Sequence, residues 1–338
     1  MFTRPTDLDD ADLRRCLAEN WAIEDVLLEY RPVGFGSHHW LATVERQPTW
    51  FVTVDDLRSW SGASSGRLEE AFERLARAFR CAQILEDAGL GFVVGPRPTA
   101  GGRPSARLGP HYSVVVHRYL TGHTAGKNGK YADPLERLKM VSHLVALHDA
   151  SPLVEDVAVV DDLKVPLRED LERLVLTDLG TRWDSGPYGE PTRALLLEHS
   201  AGIARLLARC DQWAETVAER SSKVITHGEP HAANVVVIEE GLRLIDWESA
   251  LLAAPERDLW DLDPGDGSVL DAYQRLSGRK LDPVALDCYR LWYDLFEIAG
   301  YVNGFRAHHE DTADSHESWK NLEHFCQPEV RWPTIFRS

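Results

Sequence analysis

The sequence predicts an α+β chain in two parts, an antiparallel-sheet lobe over residues 1–120 followed by a mostly helical lobe over 121–338. Three observations carry this. Residues 26–54 break into short runs rich in Val, Leu, Trp and Tyr separated by turn residues, which is strand and hairpin texture. Residues 67–88 contain neither Gly nor Pro and place Leu68, Phe72, Leu75, Phe79, Ala82 and Leu85 on one helical face. Beyond residue 122, helical spacing dominates, interrupted by one segment of strands and tight loops at 223–245.

In chain order, Leu8, Leu13, Cys16, Leu17 and Trp21 recur at helical spacing, with Asp9 and Asp10 at the start where a helix dipole favours acids. Strands follow at 26–31, 40–45 and 50–54, with turns at Gly34 to Gly36 and at Gln47-Pro48. The helix at 67–88 stops before Gly89, a C-cap glycine. Two more strands are expected at 92–94 and 112–119, separated by a turn-rich stretch. Helices are then expected at 134–150, 166–179 and 191–219, and again from 280 onward. Residues 235–238 and 242–245 flank Glu239-Glu240-Gly241, a hairpin signal.

Composition narrows the function. The 338 residues carry 37 Lys and Arg against 54 Asp and Glu, a net charge of −17. A chain this acidic is poorly suited to polyanions, so nucleic acid and anionic membrane surfaces are not expected partners. With 43% hydrophobic residues there is ample material for a core. The five cysteines form no CxxC pair, which points away from disulfide and zinc frameworks. The N-terminus lacks a signal-peptide pattern, and no run is long enough to span a membrane, so a soluble protein of the reducing cytoplasm is expected.

The chemistry concentrates in ITHGEPHAANVVVIEEGLRLIDWESALLAAPERDLWDL, residues 225–262. His227-Gly228-Glu229 follows an apolar strand end, Asn234 comes five residues after the glutamate, and Asp246 follows a hairpin. A carboxylate, an amide five residues on and a second carboxylate past a hairpin share the arithmetic of a kinase catalytic loop. Phosphoryl transfer needs an acceptor hydroxyl held in line and the phosphate charge screened by a metal. A loop carboxylate serves the first need, and hard oxygens from Asn and Asp suit Mg²⁺ for the second.

HGEPHAAN and IDWE resemble the signature of the aminoglycoside phosphotransferase family, within the bilobal protein-kinase-like fold, and PERDLWDL is similar to its spectinomycin phosphotransferase-like branch. HLVALHDAS at 143–151 resembles the family's L-x-x-LH helix, and the Gly turn between two early strands fits the same order. The resemblance implies a catalytic loop at 225–234, a metal-binding hairpin at 235–248 and a hinge at about 117–120. It implies Glu229 as catalytic base and Asn234 and Asp246 as Mg²⁺ ligands. His227 would orient the loop, and His231 would act likewise or be a buried structural histidine. Gly34, Phe35, Gly36 and Ser37 would bring backbone N–H groups to the phosphates of ATP or GTP, Thr53 would face the nucleotide, and His117 and Tyr119 would border the adenine. Arg257 and Asp258 would brace the loop.

Two departures from that pattern stand out. The family's base is Asp, and Glu229 adds a methylene, where a misplacement of about 1 Å can cost on the order of a hundredfold in rate. The third strand should also carry a phosphate-gripping lysine, but its slot is Thr53, and the first lysine of the chain is Lys127. These losses leave two readings open: an active phosphotransferase relying on Mg²⁺ and backbone amides, or a ligand-binding relative that has lost transfer.

Residues 255–297 hold ten Asp or Glu against five Lys or Arg. An acidic cleft would favour a cationic acceptor such as an aminoglycoside, aminocyclitol or amino sugar. Asp294 and Glu297, three apart on one helix face, and Glu248 are the expected acceptor contacts, the alternative being a solvated acidic face. A choline, homoserine or methylthioribose kinase is the other small-molecule option.

Overall fold

A computed structural model describes residues 1–58, 65–127 and 129–336. The N-terminal sheet has five antiparallel strands, β1 (Leu27–Arg31), β2 (His38–Val44), β3 (Gln47–Asp56), β4 (Ala106–Leu108) and β5 (Tyr112–Arg118), in the order β1-β2-β3-β5-β4. Register sets Thr53 opposite His39 on one side and Val115 on the other, and Phe51 opposite His117. These residues therefore share one face of the sheet. The opposite face carries Trp40, Val52, Val54, Val114 and Val116, all fully buried.

That second face is covered by helix α1 (Asp10–Trp21), capped by Asp9, whose side chain accepts the N–H of Ala11. Leu13, Cys16, Leu17 and Trp21 pack into the cluster of Trp40 and the strand valines. Each such large side chain contributes about 1.5–3 kcal/mol by leaving water. Helix α2 (Ser65–Asp87) buries Phe72, Leu75, Phe79, Ala82 and Leu85, and it ends where Gly89 adopts φ 94° and the N–H of Leu90 returns to the Leu85 carbonyl.

Three local expectations change. The β2–β3 turn lies at Glu45-Arg46, both with positive φ, and not at Gln47-Pro48. Pro48 instead lies in β3 beside a register shift at Ala42/Thr43, where a missing N–H is tolerated. Residues 92–94 form no strand of the sheet. Val93 makes an isolated bridge to Leu244, and the fifth strand is β4, within the stretch expected to be turns. The apolar 92–94 segment is buried against the later hairpin, a long-range pairing that local pattern cannot reveal.

The chain forms two compact units, Met1–Asp161 with Ser222–Leu281, and Asp162–Ser221 with Asp282–Ser338. The expected boundary near 120 falls inside the first unit. Residues 222–281 belong there because the hairpin of β7 (Val235–Ile238) and β8 (Gly241–Leu244) takes His123–Thr124 as a third strand, and β6 (Val224–Thr226) pairs with β9 (Leu251–Ala253). Helix α3 (Pro134–Asp149), capped by Asp133, buries Met140, Val141, Leu144, Leu147 and His148 in the same unit. The second unit is helical, with a core in which Leu171, Leu196, Ile203, Leu206, Leu291 and Ile298 are almost fully buried. Among the described residues no helix is long and apolar enough to cross a membrane, and the five cysteines are buried and form no disulfide.

Candidate active site

The catalytic segment begins where β6 ends at Thr226. His227 is fully buried, and its two ring nitrogens are both used: Nδ1 accepts the N–H of Glu229 at 3.2 Å and Nε2 donates to the Ile245 carbonyl at 2.9 Å. That pattern requires the neutral ring, and burial pushes its pKa down to about 4. His227 thus ties the loop carrying Glu229 to the end of the hairpin just before Asp246.

Asp258 holds the same loop from behind. Its carboxylate accepts the backbone N–H of His227 at 3.0 Å and of Gly228 at 2.5 Å, and it meets His148 Nε2 at 3.0 Å. His148 Nδ1 in turn contacts the Tyr273 hydroxyl at 2.6 Å. Arg257 donates to Thr226 Oγ1 and to the Ser249 carbonyl, while Ser249 Oγ donates to the His227 carbonyl. Gly228 has φ 101°, and a Cβ there would lie 2.5 Å from the Arg257 guanidinium, so only glycine fits. Arg257 and Asp258 brace the loop.

The Asn234 side chain donates to the Glu229 carbonyl at 3.1 Å, leaving its own amide oxygen available, and its backbone carbonyl accepts from Ile245. Asp246 takes left-handed φ 71°, a strained conformation for a non-glycine residue. Burial and the Glu229 charge push its pKa up to about 6. Glu248 is raised well above its ordinary value by burial and by the charges of Asp246 and Asp55, and Asp55 is pushed up to about 7 by burial, against the Ser37 hydrogen bond. Asp55, Glu229, Asp246 and Glu248 therefore form one acidic group in the first unit, with Asp246 and Glu248 each feeling the charge of its neighbours.

Gathering carboxylates in this way is costly unless a positive charge joins them. One oxygen of Asp55 and one of Glu248 are buried without a hydrogen-bond partner. These hard, negatively charged donors fit a divalent cation. Among the described residues no three or more His, Cys, Asp or Glu are grouped to hold an ion unaided. Asn234 and Asp246 would supply the protein ligands, the remaining positions falling to phosphate and water, as is usual for Mg²⁺.

At the sheet, Gly34 and Gly36 take φ 70° and 111° and shape the turn, and Phe35 is exposed. Ser37 Oγ donates to Asp55 at 2.6 Å. Thr53 is buried, its Oγ1 3.2 Å from His39 Nδ1, and burial holds His39 near a pKa of about 3. Thr53 brings no charge to the expected lysine position, and the cation beside the turn is the N-terminal ammonium, which donates to the Gly34 and Ser37 carbonyls at 3.2 and 2.6 Å. His117 is pushed down to about 4 by burial and leaves Nε2 without a partner. The N–H of Tyr119 is bonded to the Thr49 carbonyl at 3.0 Å, which removes that donor from the expected hinge contacts.

Asp55 was not among the residues singled out by sequence. It lies two residues beyond Thr53 on the same strand, so period-two alternation puts both on one face, and that signal was legible. Asp294 departs from expectation. In the second unit its carboxylate is almost fully buried and accepts from Arg331 Nε and Nη2, at 2.8 and 2.7 Å, and from Trp332 Nε1 at 2.8 Å. An aspartate engaged in three such bonds braces its own helix against the C-terminal segment. Glu297 lies one turn on and bonds the Tyr301 hydroxyl.

A sequence profile described as the phosphotransferase enzyme family matches residues 30–295, which span the sheet, the catalytic loop and the hairpin. The chain belongs to this family. It is a small-molecule phosphotransferase with an N-terminal antiparallel sheet and a helical C-terminal part. Protein StrN of Streptomyces griseus is 29% identical over 266 residues, covering 75% of this chain and 77% of StrN. Among solved structures, spectinomycin phosphotransferase APH(9)-Ia in complex with ADP and spectinomycin aligns with TM-score 0.69 at 16% identity, over 96% of this chain and 98% of that one. Choline kinase LicA from Streptococcus pneumoniae aligns with TM-score 0.59 at 11% identity, over 96% and 99%. Identities this low establish the shared fold.

Proposed function

We propose that this phosphotransferase moves the γ-phosphoryl group of ATP or GTP to a hydroxyl of a small cationic acceptor, of the aminoglycoside, aminocyclitol or amino sugar type. The observation that carries the reading is the joint fixing of Glu229, Asn234 and Asp246 by one hydrogen-bonded loop and hairpin.

The Glu229 carboxylate orients the acceptor hydroxyl and takes its proton as the new O–P bond forms and the bond to the β-phosphate oxygen breaks. Asn234 and Asp246 would hold Mg²⁺, which would supply the charge screening that the transferred group needs. His227 keeps Glu229 and Asp246 at fixed separation without itself titrating near neutral pH. An ammonium-bearing acceptor would offset the burial and repulsion that raise the Glu248 carboxyl, a preference also supported by the spectinomycin-binding neighbour and by the acidic balance of the chain. The backbone amides of residues 34–37 supply donors to the phosphates where a lysine is lacking.

Thr53 paired with neutral His39 favours a second reading, a ligand-binding relative without transfer. Transfer of labelled γ-phosphate from ATP and GTP across a panel of hydroxylated amines, choline among them, separates the two. Product with at least one acceptor, lost in Asp246→Ala, supports the proposal. Transfer and Mg-nucleotide binding that survive Asp246→Ala would sink the site assignment, and a thermal shift with Mg-nucleotide but no product with any acceptor would favour the second reading.

A further inference from the structure

We infer that Asp55 is a positioning residue for nucleotide binding, anchoring the Gly34 to Ser37 turn through the Ser37 hydroxyl in place of the missing strand lysine. The inference rests on the phosphotransferase reading and deepens it. Alternation along β3 sets Thr53 and Asp55 on one face, and each is engaged with the neighbouring chain: Thr53 with His39, Asp55 with Ser37. Asp55 is fully buried and Ser37 nearly so. The 2.6 Å bond between them is a hydroxyl-to-carboxylate contact away from water, the stronger class of hydrogen bond.

The geometry of the turn explains why an anchor matters. Gly34 and Gly36 both occupy positive φ, so the segment follows a path that the backbone alone does not hold rigidly. Converging backbone N–H groups bind an anion well only when their directions are set in advance. The N-terminal ammonium holds the other side of the turn, donating to the Gly34 and Ser37 carbonyls at 3.2 and 2.6 Å, and no side-chain cation joins it. Thr53 is uncharged, His39 is neutral, and no lysine precedes residue 127. The phosphates must therefore be met by the turn, and the Ser37–Asp55 bond fixes its C-terminal edge. The second oxygen of Asp55 is buried and unpartnered, leaving a lone pair for a group that arrives with the nucleotide.

Equilibrium binding of Mg-ATP and of its non-hydrolysable β,γ-imido analogue, followed by tryptophan fluorescence on the full chain, tests this. Ser37→Ala and Asp55→Ala should each weaken binding about tenfold, the scale of one hydrogen bond to a charged group. The double variant should be no weaker than the worse single one, since the two residues act as a unit. Asp55→Asn, which keeps an acceptor, should recover most of the affinity. In turnover, KM for nucleotide should rise while KM for the acceptor stays unchanged. Wild-type binding matched by Ser37→Ala, or losses that add in the double variant, would overturn the inference. Should Asp55→Ala fail to fold, Ser37→Ala, which removes a single hydroxyl, decides alone. A wild type that binds no nucleotide would overturn the phosphotransferase reading itself and this inference with it.

Discussion

The carboxylate of Asp258 lies 3.0 Å from His148 Nε2, with both side chains fully withdrawn from water, and the same carboxylate receives two backbone N–H groups of the loop that carries Glu229. A buried pair of this kind is costly to break from one side, about 3–5 kcal/mol, because the remaining partner keeps its desolvation penalty. Asp258→Asn should therefore lower stability by roughly that amount, read as a reduced denaturant midpoint at unchanged slope. Transfer should fall as well, since the loop loses its anchor.

The pH dependence of that contribution has a definite sign. Burial would raise the Asp258 pKa, but the His148 hydrogen bond and the nearby positive charges override it, so the folded value lies below the ordinary 3.8. Such a group stabilises the fold above its unfolded pKa, and the contribution is lost as pH falls through the folded value. The wild type should lose stability below pH 3.8 more steeply than Asp258→Asn. Equal slopes in acid denaturation would contradict the assignment.

Gly228→Ala places a methyl group 2.5 Å from the Arg257 guanidinium at a backbone φ that alanine rarely adopts. Arg257 must swing away from Thr226 and Ser249, and the backbone strain adds about 1–3 kcal/mol. We expect a lowered melting temperature and a loss of transfer of at least about tenfold, because a displacement near 1 Å at Glu229 is enough for more than that. A variant with wild-type kcat would show that the glycine is dispensable.

His117 is held neutral by burial, with its pKa down to about 4 from 6.5. The unfolded chain binds a proton there before the folded chain does, so stability declines as pH drops from 6.5 to 4. His117→Gln should flatten that limb of the stability curve by the equivalent of one proton. An unchanged slope between pH 6.5 and 4 would show that His117 protonates equally in both states.

Asp294→Ala separates a bracing role from an acceptor-binding one. Its bonds to Arg331 and Trp332 lie within the second unit, and their loss should cost about 3 kcal/mol of stability. KM for any acceptor should be unaffected in the folded fraction. A rise in acceptor KM without destabilisation would restore the role expected from sequence.

The sequence by itself determined the α+β class, the positions of most strands and helices and the family, and it singled out Glu229, Asn234 and Asp246 as the candidate site residues. These are legible because helix and strand periods are local and because the catalytic chemistry depends on short fixed spacings along one loop and hairpin. Tertiary structure alone decided the rest. Val93 pairs with Leu244, 151 residues away in sequence numbering, so the 92–94 run leaves the sheet and β4 takes its place. Asp294 carries the helical spacing of a solvent-facing acid, yet Arg331 and Trp332, far along the chain, close over it. Asp55 reads as one more strand acid until the fold brings Ser37 and the charges of Asp246 and Glu248 around it. Burial and partnership arise from contacts between distant segments, and those contacts set whether a carboxylate braces, binds or stands open to a ligand.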